Sequence, residues 1–125
     1  MIARDVARVA ALCLAAAAVV LARSDRSSAG PGAGDPALGR RVFNARCIPC
    51  HRADGSGGVK LGGNPTPNWH DPKHVFVPGF DDTLRACITE GRARSGMPAW
   101  GRTGQLTPAE IEHVIAYIHT FFPKR

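Results

Sequence analysis

The chain has 125 residues and a formal net charge of +6, which is length for one domain, and no long repeat argues for an array. Gly and Pro number 14 and 10 while aromatics are only 6%, so turns are plentiful, core material is scarce, and a staple such as a metal, disulfides or a cofactor is expected. The charge is dispersed, without a basic run or an aromatic-basic surface motif, which excludes a nucleic-acid-binding class.

Arg4 and Arg8 precede an apolar run from Val9 to Ala22, followed by Arg23 and polar residues. A bilayer-spanning helix needs roughly 20 residues. The shorter run therefore reads as a signal peptide over 1–22, with Val20 and Ala22 small enough for the cleavage positions; a retained membrane anchor is the alternative. Cys13 lies inside the run behind Leu12, a poor match to a lipoprotein signal, and is lost with it. Residues 23–34, rich in Ser, Gly and charge, read as a flexible linker. The folded domain is expected over 35–125, exported to the periplasm and attached to the membrane only if the signal is kept.

Asp35 followed by Pro36 predicts an N-cap with proline at the first helical position. The helix it opens runs through Leu38, Val42 and Phe43 to the next motif. With the signal gone, three cysteines remain in an oxidising compartment, and an odd number needs a reason. Cys47-Ile48-Pro49-Cys50-His51 supplies one: both thiols of a C-x-x-C-H are consumed as thioether bonds to haem vinyl groups, and the adjacent His51 offers imidazole to the iron. On a helical turn these three side chains lie along one side. A thioredoxin-type pair would need a βαβ pattern, which is missing. A zinc site would need a second ligand pair, for which only scattered His70, His74, His113 and His119 are on offer. A simple local disulfide is the remaining alternative.

Past this motif, His70 and His74 fall in a Pro-rich connection and read as surface loop, with bis-His ligation by one of them as the alternative. Asp81, Asp82 and Thr83 offer caps for a helix from about Leu84 to Glu90, stopped by Gly91. Cys87 then shares a face with Leu84 and Ile88 and reads as a small buried hydrophobe. Met97 is the sole methionine besides the initiator, and it lies in Gly96-Met97-Pro98-Ala99-Trp100. A core methionine is the usual reading of a single Met, but this one sits on a loop, and a thioether opposite imidazole is a standard axial pair for haem iron. Thr107-Pro108-Ala109-Glu110 is a capping box. It opens a helix whose Ile111, Val114, Ile115, Ile118 and Phe122 form an apolar stripe; Glu112, His113 and His119 fall outside it, and the two histidines read as solvated.

With C-x-x-C-H early, Gly-Met-Pro-Ala-Trp late and a terminal helix after it, the chain from Asp35 to Phe122 resembles a class I monohaem cytochrome c. It is most similar to the compact bacterial domains related to the diheme subunit of cbb3-type oxidases. The resemblance implies an all-α cytochrome c fold of three to five short helices round one covalent haem c, with His51 proximal and Met97 distal. It implies that the face carrying Gly39 and Phe43 crosses the final helix near Tyr117. The family often has Gly-Pro-Asn-Leu after the haem His, and its Pro carbonyl accepts the imidazole N–H. This chain instead has Gly62-Gly63-Asn64-Pro65-Thr66-Pro67-Asn68-Trp69, and Pro65 is the candidate for that role. Trp100, and Trp69 with it, are candidates to line the haem edge and donate to a propionate; Arg92 and Arg94 are candidates to balance its charge.

If His51 and Met97 fill both axial positions, no open site remains, so the expected chemistry is outer-sphere electron transfer without catalysis. The reading is a monomeric single-electron carrier between exported redox proteins. Without residues 1–22 the formal charge is about +5, which favours partners with acidic docking faces. Two alternatives stand beside it. One is a cytochrome subunit of an oxidoreductase complex; the other is a haem-based sensor or peroxidase in which Met97 does not bind iron.

Overall fold

The structure is a computed structural model describing residues 33–125; the expected signal and nearly all of the linker lie outside the described residues. Among the described residues there are five α-helices: α1 Pro36–Arg46, α2 Ile48–His51, α3 Pro72–Val75, α4 Phe80–Glu90 and α5 Pro108–Ile118. Two 3-10 turns, Ala93–Ser95 and His119–Phe121, complete the regular structure. Arg92 and Met97 form an isolated antiparallel bridge, and no helix among the described residues is long and apolar enough to cross a membrane.

The frame is the packing of α1 on α5. Both helices start as the sequence directs. The Asp35 carboxylate accepts from the Ala37 and Leu38 amides at 2.7 and 3.3 Å. Thr107 and Glu110 exchange reciprocal bonds of 3.2 and 2.8 Å, and losing such a cap costs about 1 kcal/mol. The two helices touch at Gly39, where an added Cβ would fall 1.8 Å from the His113 carbonyl oxygen; hydrogen is the only side chain that fits. One turn on, Phe43 is fully buried and meets Tyr117 edge-on at 5.3 Å. Its burial contributes about 2 kcal/mol. Val114 and Ile118 of α5 are buried beside it, and Ile111 and Ile115 extend the apolar stripe.

Four expectations need correction. First, α4 begins at Phe80, one turn earlier than the acidic residues suggest, with Gly79 at the N-cap and no side-chain cap. Phe80 packs edge-on against Phe122 at 5.4 Å, and that tertiary contact draws the helix start forward. Asp81 and Asp82 lie in the first turn, where carboxylates oppose the positive end of the helix dipole. Second, the connection holding His70 and His74 contains α3, capped by Asp71 through the Lys73 amide at 2.9 Å. Third, α5 stops at Ile118, so Phe122 packs from beyond the 3-10 turn.

Fourth, His113 is only partly exposed, its Nδ1 accepting the Asp35 amide at 2.8 Å. His119, in the 3-10 turn, is exposed as expected, with Nε2 2.7 Å from the Asp81 carboxylate, and Glu112 pairs with Arg85 of α4. The stop of α4 is as expected. Gly91 has φ +71°, and a Cβ there would lie 2.7 Å from both the Met97 carbonyl oxygen and the Ala99 nitrogen, so it ends the helix and seats the loop that follows.

Candidate haem-binding site

The helices and loops enclose a cavity of about 810 Å³ whose walls include Cys47, Cys50, His51, Met97 and Trp100. Two local structures deliver the first three. The His51 amide donates to the Cys47 carbonyl at 2.9 Å, closing the helical turn that sets both thiols and the imidazole on the cavity side. Arg52, at φ +61°, then turns the chain away; for a residue other than glycine that conformation is uncommon and needs support from its surroundings. From the far side α4 contributes Leu84, Cys87 and Ile88, and the loop after Gly91 brings in Met97.

The chemistry of the wall suits an apolar macrocycle with a metal at its centre. His51 is the one polar or charged residue counted as buried among the described residues, and its Nδ1 has no hydrogen-bond partner. Burial pushes its pKa down to about 4, so the ring is neutral at pH 7 and keeps a lone pair for a metal. Cys47 and Cys50 are free thiols. Burial, and secondarily Cys50, push the Cys47 thiol up to about 12 against the opposing pull of Arg46, a site that disfavours an anion and suits a neutral thioether.

Residues 34–118 match the family described as cytochrome c oxidase, cbb3-type, subunit III. The chain belongs to this family of cytochrome c domains. It is 36% identical over 87 residues to the cbb3-type cytochrome c oxidase subunit FixP of Bradyrhizobium sp. strain ORS 278, covering 69% of this chain and 27% of that protein. To FixP of Azorhizobium caulinodans it is 37% identical over 99 residues, covering 76% and 31%. To cytochrome c6 of Limnospira maxima it is 36% identical over 89 residues, covering 68% of this chain and 91% of that protein. The chain thus spans less than a third of the FixP proteins and nearly the whole of a cytochrome c6. Membership carries a covalently bound c-type haem and a role in electron transport.

The remaining candidates distribute unevenly around the cytochrome's cavity. Trp100 is half-buried on its wall, with the Arg46 guanidinium 5.5 Å from the ring centroid. Pro65 also lines the wall, but its carbonyl accepts nothing from His51 Nδ1 in this structure. A partial match to the family's Pro-Asn-Leu stands two residues later as Pro67-Asn68-Trp69, with Trp in place of Leu, and Trp69 stacks on His51, ring centroids 4.7 Å apart and planes 11° apart. Sequence reasoning missed this contact because it fixed the register on the first proline. Trp69 is only 2% exposed, a core position.

Cys87, expected to be a small buried hydrophobe, is half-buried on the wall, where its Sγ accepts from Arg92 Nε at 2.8 Å. Arg92 and His74 border the cavity, whereas Arg94 and His70 do not. His70 instead places Nε2 2.6 Å from the Asp54 carbonyl oxygen.

Proposed function

We propose that this chain is a single-electron carrier in which Cys47 and Cys50 would hold the haem by thioether bonds while His51 and Met97 would ligate its iron. The observation that carries this reading is that all four side chains, from segments up to 50 positions apart, wall one apolar cavity. The haem supplies reversible one-electron exchange at iron. The protein's part is to place and insulate. His51 is kept neutral by its surroundings and so stays available as a ligand at physiological pH. A thioether ligand from Met97 would favour the reduced state and raise the potential. Leu84, Ile88, Val114 and Ile118 line the cavity with hydrocarbon, which would exclude water from the macrocycle, and with both His51 and Met97 serving as ligands no site would remain for a substrate at the metal.

The working compartment in this reading is the periplasm, reached through the 1–22 segment, and the basic balance suits partners with acidic docking faces. A second reading has a specific observation behind it: the family description and the FixP relatives name oxidase subunits, so the chain would serve as the cytochrome subunit of an oxidoreductase complex.

One preparation tests both. The native protein should keep its haem through denaturing electrophoresis, give a low-spin spectrum with the weak sulfur-to-iron charge-transfer band when oxidised, refuse carbon monoxide when reduced, and elute as a monomer. Co-elution with larger redox subunits supports the complex. Ready carbon monoxide binding at neutral pH would overturn Met97 as a ligand and make a sensor or peroxidase the better reading.

A further inference from the structure

We infer that Trp69 is the positioning residue for the His51 imidazole, and that Phe121, in the C-terminal 3-10 turn, helps to hold Trp69 in place. The inference rests on the reading of His51 as an iron ligand. Three flat groups lie nearly parallel: His51 on Trp69 at 4.7 Å and 11°, and Trp69 on Phe121 at 6.1 Å and 7°. Phe43, fully buried, closes the side of the stack with its ring tilted against both Trp69 and Phe121. Trp69 is fixed along the backbone too, its amide donating to the Gly55 carbonyl at 3.1 Å. Phe121 is pressed so closely on Gly55 that a Cβ there would lie 2.7 Å from the ring.

A metal-bound histidine is usually oriented by a hydrogen bond from its second nitrogen. Here the ring also meets the indole face to face, a contact that limits its rotation. Rotation of the imidazole plane would drive its edge into Trp69, and Trp69 is itself packed against Phe43 and Phe121. The stack therefore ties the orientation of the proximal ligand to a segment 70 positions away in sequence.

In oxidised cytochromes the spread of the haem methyl proton shifts reports the orientation of the axial imidazole plane, which a purely structural role for Trp69 would leave unmoved. In the full holoprotein, Trp69→Ala should narrow that spread as the ring samples more orientations, Trp69→Phe should preserve it, and Phe121→Leu should narrow it by a smaller amount. Unchanged shifts in a folded, low-spin Trp69→Ala protein overturn the inference, as does a Trp69→Phe protein narrowed as much as Trp69→Ala. If Trp69→Ala does not fold, Phe121→Leu decides, and unchanged shifts there overturn it. A wild type lacking a low-spin histidine–methionine spectrum is a separate outcome: it overturns the ligand assignment, and this inference falls with it.

Discussion

His51 stands on a helical turn continuous with the α1–α5 frame and backed by the Trp69 stack, whereas Met97 stands on a loop whose regular support is the bridge to Arg92, with backbone bonds of 2.9 and 3.1 Å. The first side draws on the most buried side chains of the domain. The second is flanked by Ser95, Gly96 and Pro98, with Met97 itself only half-buried. Regions with few buried apolar contacts open locally at lower free energy than the core. The His51 side should thus fail only when the whole domain fails, while the Met97 side should be separable from it.

The largest effect removes what joins the two sides. Replacing both Cys47 and Cys50 by Ala should leave no haem on the polypeptide after denaturing electrophoresis, and a largely unfolded chain by circular dichroism, because the cofactor fills much of the core. A haem-free protein unfolding cooperatively at wild-type stability would contradict this. Next in size is a break in the frame. Gly39→Val puts two methyl groups where even a Cβ falls 1.8 Å from the His113 carbonyl oxygen, so the helices must part, at a cost of at least about 3 kcal/mol. Denaturant unfolding followed at the haem and in the far ultraviolet should lose stability together, since the His51 side shares the frame.

Met97→Ala should separate the sides. It ought to abolish the charge-transfer band, lower the potential and admit carbon monoxide, while haem attachment survives and the loss of global stability stays within about 1–3 kcal/mol, less than for a residue of the buried core. Equal losses from Met97→Ala and Gly39→Val would erase the distinction between loop and frame.

How far this architecture is legible in the sequence follows the range of the interactions. Asp35-Pro36, the Thr107–Glu110 capping box and Cys47-x-x-Cys50-His51 are each written within five residues, and the structure reproduces both caps and the helical turn. Asp71-Pro72 carries the same signal as Asp35-Pro36 and was available to the same reasoning, but the surrounding prolines hid it. The start of α4 at Phe80 was not legible, because Phe122 decides it. The stack of His51, Trp69 and Phe121, and the bond from the Asp35 amide to His113, depend on side chains brought together only by the crossing of α1 and α5. His113 looked solvated because helical periodicity identifies the apolar face and is silent on which polar groups find partners across the fold.

The smallest expected effect concerns the tie between the distal wall and the frame. Arg85 on α4 holds the Glu112 carboxylate on α5 with two guanidinium nitrogens and also reaches Asp82 at 2.7 Å. Because Arg85 is 40% exposed, solvent screens the pair, and Arg85→Ala should cost about 0.5 kcal/mol. Hydrogen bonding from Arg85 holds the Glu112 carboxyl below its ordinary value of 4.5, so the folded state binds its proton less readily than the unfolded chain does. The pair's contribution is then fully present above pH 4.5 and is lost as acid protonates the folded carboxylate. Denaturant unfolding of wild type and Arg85→Ala at neutral pH and again well below pH 4.5 should show a gap that closes in acid. A gap that persists there would mean that Arg85 acts through the packing of its hydrocarbon stem between α4 and α5, and the tie would belong to the frame.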